Sequence, residues 1–123
     1  AAEPATRPAA AAAAAKPVAI YFATMSAKLT VPGRATLRKL AQQLGATATI
    51  RLEGHADYRG AEAYNEELSK HRAEATAAAL AALGVDAARI QSEHVGARGA
   101  ARSREDELWR DRRVDLWIEG GSR

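Results

Sequence analysis

The sequence predicts an α+β domain, a two-layer sandwich with helices on one face of a mixed four-stranded sheet. Three observations carry that expectation. Four short stretches alternate apolar and polar residues with the two-residue period of a pleated strand. Two longer stretches repeat apolar residues at helical spacing, and a glycine follows each, Gly45 and Gly84. In chain order the elements read β-α-β-α-β-(α)-β, so helices fall between strands and have a sheet to pack against.

The first strand is read from Val18, Ile20 and Phe22 alternating with Ala19, Tyr21 and Ala23. Thr30 then offers a helix N-cap, and Leu37, Leu40, Ala41 and Leu44 recur at helical intervals until Gly45 ends the element. A second strand sets Ala48, Ile50 and Leu52 on one face and Thr49, Arg51 and Glu53 on the other. After a loop from Gly54 to Gly60, the longest helix runs to Gly84, a residue suited to the position just past a helix. Tyr64, Leu68, Ala75, Ala79 and Leu83 are expected to form its buried stripe. Glu66 and Lys70, four residues apart, support a solvated opposite face. Asp86 can cap a single turn before a third strand at Ile90 to Val95, and a short helix is expected near Ser103 to Trp109. The last strand alternates Val114, Leu116 and Ile118 with Arg113, Asp115 and Trp117.

Residues 1–16, with Pro4, Pro8 and the run Ala9 to Ala15, read as a flexible Ala/Pro-rich linker. The domain is placed at 17–119, with 120–123 as a frayed tail. A chain of 123 residues can bury one two-layer core. Alanine supplies much of its 47% hydrophobic content. The core therefore rests on larger side chains: Ile20, Phe22, Leu37, Leu40, Leu44, Ile50, Leu52, Leu80, Leu83, Ile90, Val114 and Ile118. No apolar run approaches the ~20 residues that span a bilayer. The absence of cysteine excludes a disulfide framework and a thiolate metal site but leaves the compartment open. A net charge of +3 suits an anionic ligand and falls short of the concentrated basic surface of a nucleic-acid binder. The chain begins at Ala1 and shows no signal-peptide pattern, so the element that exports or anchors it is expected upstream.

The stretch from Leu52 to Ala73 is the most informative. Asp57 falls in the loop between a strand and a helix, where α/β sheets often bind ligands. Arg72 lies on that helix, with a side chain leaning toward the N-terminus and the loop. A carboxylate and a guanidinium meeting in one cleft would suit a zwitterion, the Asp taking an ammonium and the Arg forking onto a carboxylate. Two plainer readings stand beside this one: Asp57 as a turn residue or N-cap, and an Asp57–Arg72 salt bridge closing the loop, which contributes only ~0–1 kcal/mol if partly exposed.

The same stretch resembles the signature of OmpA-like peptidoglycan-binding domains, in which Gly-His-Thr-Asp is followed by Asn-x-x-Leu-Ser-x-x-Arg-Ala. Here Gly54-His55-Ala56-Asp57 is followed by Asn65, Leu68, Ser69, Arg72 and Ala73 at the matching positions. Tyr21-Phe22 through Leu29 resembles the family's first strand and loop, and Asp111-Arg112-Arg113-Val114 its closing motif. The resemblance implies a non-catalytic periplasmic anchor that needs no cofactor and grips the meso-diaminopimelate of peptidoglycan stems. By it, Asp57 would accept the ammonium, Arg72 would hold the carboxylate, Asn65 would orient the loop or touch the stem, and Arg112 would line the pocket. The chain departs from the pattern at Ala56, where a Thr is usual, and at Ala23-Thr24-Met25, where an Asp or Asn is usual. Thr24, Ala56 and Leu68 are secondary site candidates. The rival reading motivated by Ala23, Met25 and Ala56 is a protein-interaction or homodimerisation module. Membrane attachment is expected only through the upstream anchor.

Other constellations point to structure. His55, His71 and His94 have no helical ligand spacing and no cysteine partner, and His55 is expected to make a structural hydrogen bond beside the loop. Glu105, Asp106 and Glu107 after Ser103 fit the first turn of a helix, which favours acids. Ser69 has no histidine at a spacing that suggests a nucleophile pair, and Trp109 and Trp117 read as packing residues. Arg98, Arg102, Arg104, Arg110, Arg112 and Arg113 form a basic segment broken by acids, by default a solvated face.

Overall fold

A computed structural model of the chain describes residues 17–45, 47–100 and 105–120. The linker at 1–16, Ser103 with Arg102 and Arg104, the side chains of Glu105 and Asp106, and the last three residues lie outside them.

Strands β1 (Val18–Tyr21), β2 (Thr49–Gly54), β3 (Ile90–His94) and β4 (Arg113–Glu119) form one sheet in the order β1-β4-β2-β3. β4 pairs antiparallel with both β1 and β2, and β2 pairs parallel with β3, so the sheet is mixed. The parallel pair needs a long crossover. Helix α2 (Glu62–Ala82) supplies it, and α2 packs beside α1 (Val31–Gln43) in the helical layer. The alternation read from the sequence sets the inward layer. Val114 lies opposite both Ile20 and Gly54, Leu116 opposite Leu52, and Ile118 opposite Ile50. Ile20, Leu37, Leu52, Leu80 and Val114 are essentially inaccessible. Truncating one of the large aliphatic ones to Ala costs about 2–5 kcal/mol.

The caps follow the sequence. The Thr30 hydroxyl accepts the Gly33 N–H at 3.0 Å, with Pro32 in the first turn where its missing N–H costs nothing. Asp86 caps a 3-10 turn (Ala87–Arg89) through the Ala88 N–H at 3.0 Å. Arg89 then ties the loop after α1 by donating to the carbonyls of Ala48 (2.6 Å) and Gly45 (2.7 Å).

Three expectations need correction. Tyr64 and Leu83 are not in the buried stripe of α2 but 44% and 40% exposed. The face turned to the sheet is instead Asn65, Ser69, Arg72, Ala73, Thr76 and Leu80. Its polar members find backbone partners: Ser69 donates to the Glu66 carbonyl and accepts the Gly96 N–H, and Thr76 donates to the Arg72 carbonyl. A stripe read from apolar residues alone is therefore rotated from the face turned to the sheet: Leu68 and Ala75 are half-buried, and Ala79 packs at the margin of the core. Second, the short helix before β4 is a 3-10 segment, Glu105–Asp111. Third, Glu66 pairs with Arg98 and with His94 (3.6 Å), and among the described residues no ion pair joins it to Lys70.

The two tryptophans also separate. Trp117 is buried with the Arg51 guanidinium 4.0 Å above its ring, whereas Trp109 is 42% exposed and meets Tyr21 edge-on at 5.1 Å. Among the described residues no helix is long and apolar enough to cross a membrane.

Candidate functional site

The site forms where β2 runs out and α2 begins. Gly54 ends β2 against α2: a Cβ there would lie 2.1 Å from the Ser69 carbonyl oxygen, so only glycine permits this approach. The chain then leaves the sheet through His55, Ala56 and Asp57, all buried although they precede a loop. The His55 N–H bonds the Arg113 carbonyl and the Ala56 N–H the Gly96 carbonyl, both at 2.8 Å, so the loop's backbone is fixed from two sides.

Beside this loop opens a pocket of about 420 Å³. Of the site residues expected from the sequence, Asp57, Arg72, Asn65, Thr24, Ala56 and Leu68 line it. Arg112 does not. It stands beside Asp57, its Nη1 3.7 Å from an Asp57 oxygen, while its Nε donates to the Phe22 carbonyl at 2.9 Å. Because Arg112 also follows the turn into β4, it links the first-strand loop to the Asp57 loop and acts on the pocket by charge.

Arg72 is inaccessible to solvent and bound in three directions. Its Nε donates to the Ser26 carbonyl (2.8 Å), Nη1 to that of His55 (2.9 Å) and Nη2 to that of Ala23 (3.1 Å). Phe22 packs under the guanidinium at 5.4 Å. One side chain on α2 thus holds the first-strand loop and the Asp57 loop together. A guanidinium has five N–H donors, so these three bonds leave one on each Nη uncommitted to those carbonyls, behind the wall of the pocket. Burial lowers the Arg72 pKa to about 10, against the opposing pull of the Asp57 charge and with a further lowering by Arg112. It stays cationic at neutral pH.

Asp57 is neither the N-cap of α2, which is Ala61, nor the salt-bridge partner of Arg72 among the described residues. It shapes a turn, accepting the Arg59 N–H at 3.1 Å. It is also clamped by the Arg59 side chain, through Nε at 3.1 Å and Nη2 at 2.9 Å. Burial on its own would raise the Asp57 pKa. The hydrogen bonds and charge of Arg59, with the charge of Arg112, outweigh it and hold the group below 3.8. Asn65 orients the same turn, donating Nδ2 to the Arg59 carbonyl at 2.9 Å.

The lining residues not among the site candidates of the sequence are Met25, Arg59, Gly60, Ala61 and Tyr64. For Arg59 a signal existed: a cation two residues past an Asp in a turn sits within reach of its carboxylate. Met25 takes a left-handed backbone conformation (φ 56°) at the rim and is 71% exposed. In all, the Asp57 carboxylate pairs with Arg59 and Arg112, and the Arg72 guanidinium lines the same pocket beside apolar walls from Ala56, Leu68 and Met25. The pocket carries an excess of positive charge and can take a ligand with at least one carboxylate.

On the far side of Gly54, ligand atoms of Glu53, His55 and Asp115 lie within 4.8 Å of one another. Their chemistry favours a brace over a metal centre. His55 Nε2 sits 3.0 Å from Glu53 and 3.5 Å from Asp115, and Arg113 Nε donates to both Asp115 oxygens. Among the described residues, the ring's buried Nδ1 lacks the acceptor that a metal-bound histidine usually donates to.

Comparison with known proteins fits this architecture. The model of the OmpA family matches residues 21–113. The chain is 39% identical over 79 residues to the outer-membrane lipoprotein YfiB of Pseudomonas aeruginosa, covering 63% of this chain and 47% of that protein. It is 34% identical over 106 residues to the peptidoglycan-associated lipoprotein of Agrobacterium fabrum, covering 84% of this chain and 60% of that protein. It thus spans about half to three fifths of these curated relatives. Among solved structures, the peptidoglycan-associated lipoprotein from Burkholderia pseudomallei superimposes with a TM-score of 0.77 at 31% identity, over 86% of this chain and 92% of that one. The C-terminal domain of Helicobacter pylori MotB shares the fold, with a TM-score of 0.74 at 18% identity over 83% and 84%. By its sequence and its fold, the chain belongs to the OmpA family.

Proposed function

We propose that this domain is a non-catalytic anchor that binds the peptide stems of peptidoglycan non-covalently and holds an envelope protein to the cell wall. The observation that carries the reading is the pocket at the end of β2, where the Asp57 carboxylate and the Arg72 guanidinium line one cavity of about 420 Å³. Names of relatives support the ligand class, since two are peptidoglycan-associated lipoproteins. Diaminopimelate fits the chemistry: its side chain ends in a carbon bearing both an ammonium and a carboxylate. Asp57 accepts the ammonium, the remaining Arg72 donors face the carboxylate, and Leu68, Ala56 and Met25 pack along the methylenes. Asn65 keeps the turn in shape, and Arg112 adds positive charge. The location that follows is the periplasm, with membrane attachment left to a segment upstream. Several anchored copies on a repetitive polymer gain avidity, so one site need not bind tightly.

The test is co-sedimentation with purified diaminopimelate-type sacculi, comparing wild type with Asp57→Asn, both checked for folding. Wild type is expected in the pellet and Asp57→Asn in the supernatant. Absence of wild type from the pellet, or equal pelleting of both proteins, sinks the reading.

A further inference from the structure

Two guanidinium groups pair with Asp57 and a third lines the same pocket, and all three are held differently. Arg72 is inaccessible and donates to three backbone carbonyls. Arg112 donates to the Phe22 carbonyl, and its side chain is 16% exposed. The Arg59 side chain is 38% exposed, lines the pocket, and clasps the Asp57 carboxylate through Nε and Nη2. Nη2 also lies 3.4 Å from the Thr24 hydroxyl across the pocket. The seat that a ligand's ammonium would take on Asp57 is thus already filled by a cation of the protein.

The Arg59 backbone is fastened independently of that clasp. Its N–H bonds one Asp57 oxygen at 3.1 Å, and its carbonyl accepts from Asn65 at 2.9 Å. Rotation about the side-chain bonds therefore moves the guanidinium while the turn stays in place. We infer that Arg59 determines the specificity of this pocket: its guanidinium exchanges with the ligand's ammonium on Asp57 and turns to the carboxylate on the same ligand carbon. The inference rests on the stem-binding reading and deepens it.

The exchange has a chemical consequence. An ammonium replacing a guanidinium on Asp57 leaves the local charge unchanged, so no new unpaired ion is buried. A ligand with only an amine would displace Arg59 and give it nothing in return. A ligand with a carboxylate beside that amine offers the released guanidinium a bidentate partner. Arg59 thereby disfavours a plain amine and favours an amino-acid terminus. Diaminopimelate and lysine differ at that carbon by one carboxylate.

Two synthetic stem peptides, identical except for meso-diaminopimelate or lysine at the third residue, are titrated calorimetrically into wild type and Arg59→Gln. Wild type is expected to prefer the diaminopimelate peptide by about tenfold or more, the scale of one charge-assisted contact. Arg59→Gln, checked to be folded at the titration temperature, is expected to lose most of that preference and to bind the lysine peptide more tightly than wild type does. A wild type without preference, or a variant that keeps the full preference, overturns the inference while stem binding stands. Failure of wild type to bind either peptide overturns both.

Discussion

Arg72 and Arg51 are both buried, and they occupy opposite sides of the sheet in opposite ways. Arg72, on the helical side, gives each of its nitrogens a backbone carbonyl and joins two loops. Arg51, on β2, faces outward beside its register partner Trp117, and among the described residues its Nε, Nη1 and Nη2 have no hydrogen-bond partner. It is held by the Trp117 ring at 4.0 Å and by longer-range pairing with Glu119 (3.6 Å) and Glu93 (3.8 Å). Burial of a guanidinium is thus not one energetic situation. Where it satisfies carbonyls, its removal strands them. Where it meets only a ring and two distant carboxylates, the cost of taking it out of water offsets much of what it gains.

The largest consequence concerns Arg72. Arg72→Ala takes donors from the carbonyls of Ser26, His55 and Ala23, each worth about 1–3 kcal/mol when left unpaired. Urea unfolding is expected to show a loss of about 3–5 kcal/mol, with Arg72→Lys recovering only part because one ammonium cannot reach in three directions. A loss under about 1 kcal/mol would mean that the three carbonyls reach water readily, and the contrast with Arg51 would collapse.

A smaller effect distinguishes the pocket by pH. The folded Asp57 pKa lies below 3.8, its ordinary value, so the carboxylate form is favoured by folding. Its contribution to stability is then complete above that value and is lost as pH falls through the lowered folded pKa. As pH falls from about 5 to about 2, the urea midpoint of wild type is expected to drop further than that of Asp57→Asn. Parallel curves would show that the Arg59 and Arg112 contacts do not favour the ionised form.

The two arginines also mark where the sequence was legible. Alternation in Ile50-Arg51-Leu52 and in Val114 to Ile118 revealed the strands, and Thr30 and Asp86 revealed the caps, because period and cap chemistry are local. The pocket's Asp57, Asn65 and Leu68 were legible through motif spacing. The sheet-facing side of α2 was not, since Ser69 and Arg72 are buried with partners such as Gly96 and Ala23, 27 and 49 residues away, that no helical pattern announces. For Arg59 the spacing from Asp57 was a signal, but its weight depends on the burial of Asp57, which only the fold shows. Trp109 and Trp117 carried the same expectation and ended 42% and 7% exposed, because one lies on a 3-10 segment at the edge and the other on a central strand.

The outer face yields the smallest expected change, and it takes two substitutions to see it. Arg51→Met alone keeps the stem that packs on Trp117, but it leaves Glu119, whose Oε2 is buried without a hydrogen bond, lacking its cation. A loss of about 1–2 kcal/mol is expected, from the stranded carboxylate more than from any bond broken. Adding Glu119→Gln removes that charge, and the double variant should return to within about 1 kcal/mol of wild type. The pair would then show a coupling in urea unfolding that the single losses do not add up to. Additive losses would mean that Arg51 stabilises the sheet through Trp117 alone, and the face opposite the pocket would owe its arginine to the ring and not to the acids.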